Sequence, residues 1–128
     1  MSNENLPAIS EENAAEAAEN LRKWDAGEVV WSADMGGMGP GYEQAIQILT
    51  METVREALAN RPTTQDGWSK CRDNAVARTR ENGYSGAQAG AAKGLAYQLC
   101  VNGWEKSLNH PSLEKDRKIM VSKTWPKA

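Results

Sequence analysis

The residues of this chain best placed to do chemistry fall in one short run, DMGGMGPGY at 34–42. Four glycines and a proline stand between an apolar stretch, EVVWSA, and a long apolar run that opens near Tyr42. A strand, a glycine turn and a helix start can cradle an anion, because backbone N–H groups and the helix dipole point at the ligand. Glycine permits the close approach. Spacing then removes the familiar phosphate fingerprints. The dinucleotide pattern needs glycine at i, i+2 and i+5. Gly37 leads instead to Tyr42, and Gly39 leads to Gln44. The P-loop needs Lys and a hydroxyl residue after its last glycine. After Gly36 and Gly41 stand Tyr42 and Glu43. Asp34 and Glu43 also bracket the run with negative charge, which opposes a phosphate. Trp31, Asp34, Gly36, Gly37, Gly39, Gly41, Tyr42 and Glu43 therefore form a candidate site for some other ligand or a partner, with Trp31 and Tyr42 as stacking faces. The competing reading is a tight structural turn.

A second glycine pattern lies in GAQAGAAKG, residues 86–94. Gly86, Gly90 and Gly94 recur every fourth residue and so share one helix face. Each costs about 1 kcal/mol against alanine in a helix interior. Close approach of another backbone would offset that cost, so the pattern predicts a helix-packing face against the helix at 42–60. A homodimer seam or a flat ligand is the alternative.

Catalysis finds little else. His110 is the one histidine and precedes a proline. Cys71 and Cys100 lack metal-site spacing and read as buried reduced thiols. Glu52 and Glu56 lie one helical turn apart and could share a cation, although Arg55 beside them favours a solvated charged face. Lys70, Arg72, Arg78 and Arg80 make the following helix basic. No motif calls for a cofactor or a metal.

These features require elements to hold them. Ser10 is a candidate N-cap, with Glu11 and Glu12 in the first turn. The apolar spacing predicts helices near 10–24, 42–60, 67–82 and 85–108, packed around the second of them. Ser85 and Gln88 have capping-box spacing, with Tyr84 placed as a staple. Val29, Val30 and Trp31 predict a short strand at 28–32, and RKIMVSKTW predicts another at 117–123. The expected fold is α+β, mostly helical, in a single domain over 1–128, with 1–9 flexible.

Composition bounds the function. The chain has 128 residues and a net charge of −2. No apolar run is long enough to span a membrane, and the acidic N-terminus has no apolar core of the kind a secretory signal needs. Both predict a cytoplasmic protein. Residues 104–128 carry six bases and three acids. Nucleic-acid binding through Lys115, Arg117, Lys118 and Lys123 is a weak footprint. Five Trp in a chain with no Phe point to protein recognition, since Trp is enriched at binding hot spots.

The runs GGMGPGYEQAIQIL and YSGAQAGAAKGLAYQL resemble small accessory proteins carried by bacteriophages and prophages. That resemblance brings no activity, cofactor or site residue with it. It implies a protein that binds a host or phage macromolecule, in the host cytoplasm if phage-encoded. Together these readings predict a non-enzymatic interaction protein whose partner is another protein, with a homodimer as one form. The alternative is a small ligand-binding or enzymatic domain using residues 34–42.

Overall fold

The computed structural model describes residues 5–28 and 40–104. Among these the fold is all-α, and the expected α+β class is corrected. The β pairing found there is an isolated antiparallel bridge between Asn5 and Thr64. The expected strands at 28–32 and 117–123 lie outside the described residues, apart from Glu28. Four helices follow one another: α1 (Glu11–Asp25), α2 (Pro40–Asn60), α3 (Gln65–Thr79) and α4 (Gly86–Tyr97). A 3-10 turn, Arg80–Asn82, ends α3, and a π-helical turn, Gln98–Asn102, extends α4.

Local chemistry sets most of the boundaries. The Ser10 side chain accepts from the Asn13 amide, and Thr64 accepts from Gly67 in the same way. Ser85 and Gln88 bond reciprocally as a capping box, and Tyr84 packs in one cluster with Ala89, completing the staple. Proline opens α2, where its missing N–H has no helical partner to lose. Gly27 and Gly83 adopt φ of +88° and +73° and end their helices. Leu6, within the stretch expected to fray, donates its N–H to the Thr63 carbonyl, and Ile9 beyond it is buried.

α2 is the central helix. Ile46, Leu49, Met51, Val54 and Ala57 are buried along it, as are the polar Gln47, Thr50 and Thr53. The Thr53 hydroxyl donates to the Leu49 carbonyl one turn back. Ion pairs fix the helix directions. Glu11 at the start of α1 meets Arg61 just after α2, while Asp25 at its end meets Arg55. α1 therefore runs antiparallel to α2. Asn74 and Arg78, late in α3, bond to Glu56, so α3 is antiparallel to α2 as well. Arg61, at φ +49°, and Pro62 make the reversal between them. α4 returns antiparallel to α3, with Tyr84 near Val76 at one end and Tyr97 edge-on to Trp68, 5.4 Å between centroids, at the other. No described helix is long and apolar enough to cross a membrane.

Candidate functional site

The predicted loop site is only partly placed. Trp31, Asp34, Gly36, Gly37 and Gly39 lie outside the described residues, as do His110, Lys115, Arg117, Lys118 and Lys123. Gly41, Tyr42 and Glu43 belong to the first turn of α2, which starts at Pro40, two residues before the expected start.

The second predicted feature is fully visible, and its direction is corrected. Gly86, Gly90 and Gly94 do not pack against α2. All three are exposed, and a Cβ built on any of them would meet nothing within 4 Å. The face of α4 that meets the core is the opposite one, Ala89, Ala92 and Ala96, continued by Leu99 and Cys100. The alanine repeat carried this signal in the sequence. A methyl group gains apolar contact at the interface with α2, whereas a hydrogen gains none.

The outward face of α4 is therefore open, small and nearly uncharged. Between Gly86 and Asn102 the one Lys, Arg, Asp or Glu is Lys93. Gly86, Ala87, Gly90, Gly94 and Gln98 are all exposed. Tyr97 lies at the α3 edge of this face, against Trp68. Lys93, also at that edge, donates from Nζ to the Ser69 hydroxyl over 3.0 Å. A serine and a lysine at this distance suggest a nucleophile with its base. Acyl transfer further requires donors for an oxyanion. Ser69 sits inside α3, where the neighbouring amides of Gly67 and Trp68 are already bonded to Thr64. The pair joins α3 to α4, and the Gly67 and Trp68 amides nearest to it are not available as oxyanion donors.

The Glu52–Glu56 pair holds a cation, and that cation is a side chain of the protein. Arg78 reaches across from α3 and bonds both carboxylates. Arg55 bonds Glu52 at 3.1 Å and Asp25 of α1 at 2.7 Å. Arg55's pKa is raised, chiefly by the Asp25 hydrogen bond and then by Glu52. The network ties α1, α2 and α3 together along one surface. Among the described residues no group of three His, Cys, Asp or Glu could hold a metal.

Cys71 and Cys100 are free and buried in one apolar cluster. Burial raises the pKa of both thiols. Cys100 is pushed up to about 12, with the neighbouring Cys71 adding to the rise and Arg61 opposing it. Thiols held neutral in this way are poor nucleophiles.

One polar arrangement had no signal in the sequence. Asn13 and Glu16, on one face of α1, bond backbone groups far along the chain. Asn13 Nδ2 donates to the Val101 carbonyl over 2.9 Å, and Glu16 Oε1 accepts from the Trp104 N–H over 2.8 Å. Gly103 between them has φ +98°, and a Cβ there would come 3.2 Å from Asn13 Oδ1. The close approach and the positive φ both require glycine.

Comparison of the chain with protein-family models, curated proteins and solved structures finds no match.

Proposed function

We propose that this chain is a small non-enzymatic interaction protein that docks another protein on the outward face of α4. The carrying observation is the stripe Gly86, Gly90, Gly94, exposed and with open space at every Cβ position. Among the described residues nothing packs on Gly90 or Gly94 to offset the roughly 1 kcal/mol that an interior glycine costs a helix. A second backbone approaching closely would offset it. The near absence of charge on this face is a further support, since interface cores are depleted in charged residues. In this reading the protein works in the cytoplasm, that of the host if it is phage-encoded. A second copy of the chain is one form the partner can take.

Gly90→Gln together with Gly94→Gln tests this. Long side chains at these open positions keep the helix content and keep or raise the unfolding midpoint. The docking reading expects proteins retained by the parent chain in affinity capture from the host to be lost by the double variant. It expects any self-association seen by sedimentation to be lost as well. The same retained set and the same mass for both chains would remove α4 from the interface.

A further inference from the structure

The geometry points to α1 as a strap that undocks as a unit while α2, α3 and α4 stay folded, releasing the backbone turn at 101–104. This inference is independent of the docking face. It rests on how α1 is held.

The apolar hold is small. Within its own length α1 fully buries only Ala14 and Ala17, joined by Ile9 just ahead of it. Leu21 and Trp24 pack against the same cluster but stay partly exposed. α2 by contrast buries Ile46, Leu49, Met51 and Val54. Hydrophobic stabilisation scales with the apolar area removed from water, so α1 is the least anchored of the four.

The polar hold lies mainly at the rim. Glu11 to Arg61 and Asp25 to Arg55 are ion pairs with both partners substantially exposed. Pairs of this kind are weak and screened by salt.

The remaining fastening is specific. The π-helical turn ends at Asn102, where Gly103 turns the chain away at φ +98°, ψ 141°. The last carbonyls of a helix need partners. Asn13 supplies one for Val101, and Glu16 takes the Trp104 N–H that follows. α1 thus caps the end of α4 from 88 residues away. When α1 is docked, the 101–104 turn is pinned to its Asn13–Glu16 face. When α1 is released, the Val101 carbonyl loses its Asn13 donor and the Trp104 N–H loses its Glu16 acceptor. The chain continues beyond Trp104, so the position of α1 bears directly on where that continuation starts.

Hydrogen exchange on the full chain, followed by amide, tests the strap. The expectation is that amides from Ala14 to Trp24 and those at 101–104 exchange as one group, ahead of the interiors of α2 and α3. Asn13→Ala speeds that group by about 5-fold or more, the loss of roughly one hydrogen bond. Amides of α2 and α3 stay nearly unchanged. Raising NaCl to about 0.5 M does the same to the parent chain, because the rim pairs are screened. Exchange of α1 at the rate of α2 and α3, with no selective effect of salt, overturns the strap. So does an Asn13→Ala variant that speeds every helix alike. Should that variant fail to fold, the salt comparison on the parent chain decides the matter.

Discussion

α1 and α4 both lie against α2, yet they present opposite faces to water. α1 carries seven ionisable side chains in its fifteen residues, Glu11, Glu12, Glu16, Glu19, Arg22, Lys23 and Asp25. Outward on α4 stand glycine, alanine and glutamine. The inner faces are alike, each a row of alanines: Ala14 and Ala17 on one helix, Ala89, Ala92 and Ala96 on the other. Similar inner faces mean that the outer difference is not imposed by packing on α2. A charged outer face keeps α1 solvated and gives it ion pairs to hold on by. A bare outer face gives α4 neither. It offers instead room for a close neighbour.

Overpacking separates the two helices most sharply. Ala92→Leu and Ala17→Leu each force a larger side chain into a fully buried site, at a cost of about 1–3 kcal/mol. In α4 this lowers the global urea midpoint. In α1 it is expressed as loss of exchange protection in α1 with the midpoint largely kept. Equal losses of midpoint would place both helices in one cooperative unit and break the comparison.

Alkaline titration sharpens the inner side of α4's extension next. The folded Cys100 keeps its proton up to about pH 12, against an ordinary value of 9.0. Between these values the unfolded chain has lost the proton and the folded chain has not. The folded state therefore loses ground as pH rises, by about 1.4 kcal/mol per unit for one thiol. Below this window the thiol is neutral in both states and adds no slope. Cys100→Ala should flatten the fall of stability above pH 9. An unchanged slope would show that the thiol is hydrated in the folded chain.

The smallest effect concerns the bare face itself. Gly90→Ala and Gly94→Ala each raise stability by up to about 1 kcal/mol, since alanine is the better helix former and its methyl meets nothing. A loss of stability in urea unfolding would mean that this face is covered in the protein as it exists in solution.

Local chemistry made much of this fold readable. Ser10, Ser85 with Gln88, Gly27 and Gly83 marked helix ends because each acts on backbone within a turn of itself. The four helices and the central place of α2 followed from apolar spacing. The α+β class did not hold. It rested on Val29, Val30 and Trp31 and on residues 117–125, whereas the described residues are helical and the β pairing there is one bridge. The glycine face was given the wrong direction because glycine spacing was weighed without the alanines opposite. The π-helical extension of α4 stops at Asn102, where Gly103 turns out of the helix. The roles of Asn13, Glu16 and Arg78 were not legible, since their partners come from other elements and no spacing rule connects them.

The reach of the strap also has a consequence for how the chain closes on itself. The contacts across the Arg61–Pro62 reversal are short in sequence; Asn74 and Glu56 are 18 residues apart. Asn13 and Val101 are 88 apart. Closing a loop of the longer kind from the open chain costs about 1.4 kcal/mol more in chain entropy than closing one of the shorter kind. The hairpin of α2 and α3 therefore has the smaller conformational search. The clasp between α1 and the turn at 101–104 has the larger.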